Sequence, residues 1–408
     1  MKTITRQPQL LVKMPPAAPQ KVSLGMGVAK FEVAIEPLFQ SIADEPQLAA
    51  AQPSQWHVLK AAADGVEVNA WDMCHELTTG GMGVTGLSGV EFAEPDLEQR
   101  WTYGTESQQM LAATRSCDQP EPPNTKLPVG DGVYWFRDQV HSQLQLAREE
   151  VGQPANRVCI AHFDTGYDPS HITKPQFLRA DLQKNFEDGN PNDATDQSDG
   201  ALNNLGHGTA TIALLAGSTI DGAPLGGAAF LDVIPVRVAN SVVLFQNSSI
   251  AKAFDYVHSL IKKSNTPVHV ITMSMGGLAS QAWADAVNAL YEAGVFIVTA
   301  AGNNFGNFPT HNIVYPARFK RVISACGVMA DGKPYADLPL RIMAGNYGPD
   351  SKMDTSLSAY SPNTPWARIG CSNTVDRNGQ GTSSATPQVA SAAALWIQKF
   401  KPQWEAYP

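Results

Sequence analysis

The strongest constraint on this chain is an alternation that begins at Arg157. Short continuous apolar runs, "RVCIAHFDTG", "DVIPVRVA", "VHVITMSMGG", "GVFIVTAAGNN" and "RVISACGV", are separated by longer segments with helical spacing, such as "SSIAKAFDYVHSLIKK" and "SQAWADAVNALYEAG". A run that is apolar throughout suits a strand buried on both faces, which is the setting of a central parallel strand. Strand and helix in regular alternation predict an α/β fold, an open parallel sheet with helices on both faces. In such sheets the working residues gather on loops at the carboxyl ends of the strands.

The sequence before this region reads differently. Residues 1–28, rich in Pro, Gln and Ala, predict a loose arm. Residues 29–101 predict a small α+β domain. "AKFEVAIEPL" alternates as a strand does, "SQWHVLKAAA" and "EVNAWDMCHELTT" carry mixed helical spacing, and "VEFAEPDLE" is a further strand candidate. Residues 102–133, with "SCDQPEPPNTKLPVGDG", read as a linker. The main domain then covers residues 134–408 and opens on a helix candidate, "YWFRDQVHSQLQLAREEVG".

Composition removes several function classes. With 408 residues, 43% apolar and 16% charged, the chain can bury a large core and more than one domain. A net charge of −9 argues against nucleic acid or an anionic membrane as the main partner. The five cysteines are scattered and suggest neither a zinc site nor a disulfide framework. "MKTITRQPQLLVKMPPAAPQ" lacks the apolar run of a signal peptide, and no window reaches the ~20 apolar residues of a spanning helix. The resulting expectation is a soluble, cytoplasmic protein of a reducing compartment.

Three glycine-flanked loops carry groups that work together in nucleophilic chemistry. "HFDTGYD" puts Asp164 just after a strand; "NNLGHGTATIALLAG" puts His207, and "GQGTSSATPQVA" puts Ser383 and Ser384, at the start of small-residue helices. A serine hydroxyl becomes a nucleophile when an imidazole takes its proton and a carboxylate orients that imidazole. Taken singly, Asp164 reads as a turn former and Ser383 as a helix cap. Taken together, they run in the order Asp, His, Ser, which differs from the chymotrypsin and α/β-hydrolase orders.

With those flanking letters the chain resembles the subtilisin-like serine peptidases, the subtilases, over roughly Tyr134 to the C-terminus. The resemblance implies a serine endopeptidase acting through an acyl-enzyme, with Asp164, His207 and Ser383 as its triad and no required cofactor. The frame G-T-S-x-A-x-P selects Ser383 over Ser384 and sets Pro387 in the first turn of the helix. "VTAAGNN" resembles the segment that supplies an oxyanion-hole amide, a role for Asn303, with Asn304 the competing residue. "TMSMGG" resembles the strand that pairs with an extended substrate, so that Ser274, Met275 and Gly276 line the pocket. "NIVYPARF" resembles the pocket's far end, where Val314 replaces a frequent glycine and predicts a shortened pocket. "ANSVVLFQN" takes the position of the second substrate-pairing edge.

The acidic stretch "NFEDGNPNDATDQSDG" offers Asp188, Asp193, Asp196 and Asp199 as calcium candidates. It lacks the glycine of an EF-hand loop, so a solvated acidic loop is the expectation, with calcium as the ion such a loop admits. The N-terminal domain resembles the ferredoxin-like prodomains of subtilases, which implies an intramolecular inhibitor of the peptidase. A second reading keeps the fold as a latent or inactive binding or sensor protein held shut by that domain. A sedolisin-type enzyme uses Glu and Asp in place of histidine, and "GHGT" counts against it.

Overall fold

The computed structural model describes residues 9–16, 21–26, 29–44, 54–61, 69–79, 87–100, 116–197, 205–242, 244–304, 311–336 and 343–404. Helices α1 (Ala70–Thr79), α2 (Leu144–Val151), α3 (His207–Ala216), α4 (Asn247–Lys262), α5 (Gln281–Glu292) and α6 (Thr382–Trp404) lie among them. The chain divides into two compact units: residues 1–98 with 246–265 and 280–289, and the remainder.

In the first unit, β1 (Gln9–Met14), β2 (Lys21–Met26), β3 (Ala29–Pro37), β4 (Gln55–Ala61) and β5 (Phe92–Pro95) form an antiparallel sheet in the order β2-β3-β4-β1-β5. Leu10, Val12 and Met14 fall on one face of β1 by their period of two, and pack with Val33, Ile35 and Leu59 against Met73, Cys74 and Leu77 of α1. Three carboxylates in this unit cap backbone N–H groups. Glu94 accepts from Gln281 and Ala282 at the start of α5 at 2.9 and 3.1 Å. Asp96 accepts from Ser248 at the start of α4 at 2.9 Å. Asp255 accepts from Gln40, Ser41 and Ile42 at 2.9, 2.9 and 2.7 Å. A carboxylate at a helix N-terminus satisfies otherwise orphaned donors and complements the helix dipole.

In the second unit, β7 (Cys159–Asp164), β8 (Lys184–Asn185), β11 (Asp232–Arg237), β13 (Val270–Met273), β14 (Phe296–Ala300), β16 (Ile323–Val328) and β18 (Ser356–Tyr360) form a parallel sheet in the order β18-β16-β14-β13-β7-β11-β8. Helix α6 packs across β13, β14, β16 and β18 and against α2 and α3. Val270, Val298 and Ala325 of the sheet meet Ile212 and Leu215 of α3 and Ala385, Val389 and Ala390 of α6 in one buried cluster. Small pairs complete this unit: the hairpin β9 (Thr219–Ile220) and β10 (Ala223–Pro224), β15 (Asn303–Asn304) with β17 (Ala344–Gly345), and β19 (Thr364–Ala367) with β20 (Val375–Gly379).

Several sequence expectations need correction. Residues within 1–28, expected as a loose arm, supply β1 and β2, and Leu11 and Val12 are fully buried. "QLLVKM" is a short alternating strand among Pro and Gln, and its partners β4 and β5 are distant in sequence. "SQWHVLKAAA" is strand β4, because pairing to β1 and β3 overrides its helical spacing. The expected helix after Tyr134 is a 3₁₀ turn at Trp135–Arg137 followed by α2, the two interrupted at Gln143, whose φ is 59°.

The described part of the expected linker, residues 116–133, lies strapped to the second unit. Arg368 donates to the Ser116 and Gln119 carbonyls at 3.1 and 3.2 Å, Glu121 N–H donates to Asp376 at 2.7 Å, and Asn363 donates to the Pro128 carbonyl at 3.0 Å. Cys117 and Cys371, 254 residues apart, form a disulfide where none was expected from the spacing. No helix among the described residues is long and apolar enough to cross a membrane.

Candidate active site

Asp164 is the last residue of β7 and is fully buried. Its Oδ1 accepts from His207 Nδ1 at 2.7 Å and from the Thr165 N–H at 2.8 Å, and its Oδ2 accepts from Thr211 Oγ1 at 3.0 Å. Burial is the largest influence on this carboxyl and pushes it up. The charge and hydrogen bond of His207, the nearby His162 ring and the Thr165 N–H outweigh burial and hold it below the ordinary aspartate value. His207 is the first residue of α3, 6% exposed, with Trp366 edge-on to its ring at 5.5 Å. With Nδ1 donating to the carboxylate, Nε2 of the neutral ring is the basic nitrogen.

The glycines of "DTG" and "GHG" let these two loops touch. A Cβ on Gly208 would lie 2.0 Å from the Gly166 carbonyl oxygen, and a Cβ on Gly166 would lie 2.7 Å from that of Ala194. A side chain at Gly208 would drive the Asp164 and His207 loops apart, and one at Gly166 would collide with the backbone of Ala194 and Asp196. Asp196 completes the contact, its Oδ2 accepting from Thr165 Oγ1 at 3.0 Å and from the Gly206 N–H at 2.8 Å.

Ser383 is the second residue of α6 and 5% exposed. Its Oγ donates to the Ser274 carbonyl at 3.1 Å, and Ser274 Oγ donates back to the Ser383 carbonyl at 3.1 Å. Pro387 explains one half of the exchange, the bond from Ser274 Oγ to the Ser383 carbonyl. It stands at the sixth position of α6, beyond the first turn in which the sequence reading set it. Lacking an N–H, it leaves the carbonyl four residues earlier, that of Ser383, without a helical donor. Ser384 is fully buried and donates to the Gly381 carbonyl at 3.1 Å.

Asn303 lies on β15, with its Oδ1 accepting from the Thr382 N–H at 2.8 Å and from Thr382 Oγ1 at 3.3 Å. Its Nδ2 is thereby turned toward Gly381, where a Cβ would meet it at 3.1 Å. Asn304 Nδ2 donates instead to Asn346 Oδ1, which leaves Asn303 as the amide beside the serine helix.

Ser274, Met275 and Gly276 follow β13 directly. Val314 is fixed by its N–H to the Ala301 carbonyl at 3.1 Å, and Tyr315 exchanges two hydrogen bonds with Gly277 at 2.7 and 2.8 Å. A Cβ on Gly276 would lie 2.6 Å from Val314 Cγ2, and one on Gly302 would lie 2.8 Å from Val314 Cγ1. The valine side chain therefore fills the gap between two glycine backbones. The edge expected within Ala239–Asn247 contains β12 (Leu244–Gln246), which pairs with β6 (Glu98–Arg100).

Of the calcium candidates, Asp188, Asp193 and Asp196 are not brought together. Asp188 pairs with the buried Arg237 at 2.8 Å, Asp193 caps its own loop through the Thr195 N–H at 2.9 Å, and Asp196 ties Thr165 to Gly206. Asp199 lies outside the described residues, among which no cluster of three ligating side chains occurs.

The subtilase family model matches residues 155–407, more than half of the chain. The chain belongs to the subtilase family. It is 30% identical over 249 residues to a subtilisin-like protease of Coccidioides posadasii (strain C735), covering 60% of this chain and 53% of that protein. It is 29% identical over 277 residues to alkaline elastase YaB of Bacillus sp. (strain YaB), covering 67% and 61%. To subtilisin DY of Bacillus licheniformis it is 31% identical over 199 residues, covering 48% and 64%. The chain thus spans between half and two thirds of the length of these relatives.

Sequence reasoning missed two residues of the subtilase site that periodicity points to. His162 stands two residues before Asp164 on β7, hence on the same strand face, and Thr211 stands four residues after His207 in α3, hence on the same helix face. Trp366 and Asn346 come from distant segments, and no local signal marks them.

Proposed function

We propose that this subtilase is a serine endopeptidase. His207 takes the proton of Ser383, whose Oγ attacks a peptide carbonyl, while Asp164 orients His207 and stabilises its imidazolium. The oxyanion is met by Asn303 Nδ2 and by the Ser383 N–H at the positive end of α6. The acyl-enzyme is then hydrolysed by water, and no cofactor takes part. The observation that carries this reading is the 2.7 Å bond from His207 Nδ1 to a fully buried Asp164, a pairing that leaves Nε2 as the base.

The substrate is an extended peptide or protein segment along Ser274–Gly276, with no nucleic acid or membrane involved. Val314 sets a preference for small or medium apolar side chains before the cleaved bond. The filled gap beside Gly276 and Gly302 supports this. One relative bears the name alkaline elastase.

The N-terminal module is the proposed inhibitor. The resemblance of that module to subtilase prodomains supports it. The same resemblance admits the second reading, a latent protein held shut by that module. A cytoplasmic setting stands as the proposal from the sequence, with the Cys117–Cys371 disulfide as a point against it.

Labelling with a fluorophosphonate probe, on the full chain and on a chain starting near Tyr134, tests the proposal. Labelling of the shorter form alone is expected of an inhibitory module. A folded protein that labels in neither form would overturn the peptidase reading.

A further inference from the structure

We propose that His162 and Thr211 form a hydrogen-bond relay that positions Asp164 for its work on His207. The proposal rests on the triad reading above. Thr211 Oγ1 lies 2.9 Å from His162 Nε2 and 3.0 Å from Asp164 Oδ2, and also 3.2 and 3.3 Å from the His207 and Gly208 carbonyl oxygens. Thr211 and Asp164 are fully buried and His162 is 2% exposed.

Proton accounting fixes the direction. The hydroxyl has one proton and faces a carboxylate oxygen, two helix carbonyls and a ring nitrogen. The carboxylate is the charged acceptor and takes it. Were the proton given to His162, the hydroxyl lone pairs would face Asp164 Oδ2 in a low-dielectric site, which is costly. His162 Nε2 therefore carries a hydrogen, and the relay runs from His162 Nε2–H to Thr211 Oγ1–H to Asp164 Oδ2. Each donor polarises the next. Since Oδ1 is held by His207 and the Thr165 N–H, the carboxylate is gripped at both oxygens and cannot rotate away from the imidazole.

The charged groups facing His162 are Asp164, which raises its basicity, and His207, which lowers it. Burial is the largest influence and carries the ring down to about 4, so it stays neutral with one N–H, the form the relay needs. These are positioning residues; neither reaches the substrate.

Thr211→Val keeps the shape and removes the donor. Expected is about a tenfold loss of kcat on a chromogenic peptide with KM unchanged, the size of one hydrogen bond to a charged group. The acid limb of the kcat/KM profile moves to higher pH, because a carboxylate relieved of one donor holds the His207 imidazolium more strongly. Thr211→Ser restores both readouts. His162→Gln, which retains an N–H donor, stays near wild type, and His162→Leu follows Thr211→Val. A folded Thr211→Val with wild-type kcat and acid limb overturns the relay. Nitrogen-15 NMR of the wild-type protein gives an arm that needs neither folding of a variant nor turnover. His162 protonated at Nε2 is expected, and a ring protonated at Nδ1 alone overturns the proposal. A wild-type chain without activity counts against the triad reading, while the relay is still decided by that tautomer.

Discussion

Ser274 and Ser383 exchange hydrogen bonds, each hydroxyl donating to the other's carbonyl at 3.1 Å. The bond from Ser274 Oγ exists because Pro387 has no N–H for the Ser383 carbonyl. Ser274→Ala should therefore destabilise the protein by about 1–2 kcal/mol, the cost of a buried carbonyl losing its donor. Pro387→Ala returns an N–H to the helix, so the double variant should recover part of that loss in a denaturation cycle. Additive losses would show that the two residues act independently.

The two adjacent serines separate by role. Ser383→Ala should abolish fluorophosphonate labelling. Ser384→Ala should keep it and lower stability by about 1 kcal/mol, since Ser384 is buried on the Gly381 carbonyl. Labelling that follows Ser384 would reverse the assignment. Asn303→Leu should reduce kcat by about 10²–10³ with little change in KM, as expected of a donor that acts only on the developing oxyanion.

Val314→Gly should empty the gap between Gly276 and Gly302. The ratio of kcat/KM for Phe over Ala before the cleaved bond should rise by at least about 10- to 200-fold, the range for a single methylene in a pocket. A wild-type enzyme that already cleaves well after Phe would remove Val314 as the determinant.

Oxidation state is read by thiol titration of the unreduced, denatured protein. Three reactive thiols, Cys74, Cys159 and Cys326, are expected with the Cys117–Cys371 bond intact, and all five cysteines after reduction. Five before reduction would return the chain to the reducing setting that the sequence suggested.

The contrast between that bond and the triad shows which parts of the chain are legible. The motif glycines, Gly166 and Gly208, are written in sequence because two backbones must touch there, and a steric demand leaves a fixed letter. Strands β7, β11, β13, β14 and β16 of the parallel sheet are legible because burial leaves a continuous apolar run, whereas the edge strands β8 (Lys184–Asn185) and β18 (Ser356–Tyr360) carry no such run. Cys117 and Cys371 leave no local mark, since their meeting depends on the whole fold between them. Strand β4 misleads because its identity is set by neighbours β1 and β3, which come from elsewhere in the chain. His162 and Thr211 sit between these cases. Their spacing from Asp164 and His207 was visible, but a polar pair under the site reads as ordinary strand and helix until the contact at 2.9 Å is seen.

His162 also gives the protein a pH dependence of stability. In the unfolded chain its imidazole takes a proton near 6.5, while in the folded protein burial, aided by His207 and opposed by Asp164, delays protonation to about 4. Between those values the unfolded state binds more protons, so stability falls as pH falls. The contribution is fully present above about 6.5 and lost on acidification toward about 4, on the order of 3 kcal/mol in all. His162→Gln removes the titrating ring and keeps the donor, so its denaturation midpoint should decline less over this window than that of the wild type. Parallel declines for the two proteins would assign the acid sensitivity to other groups.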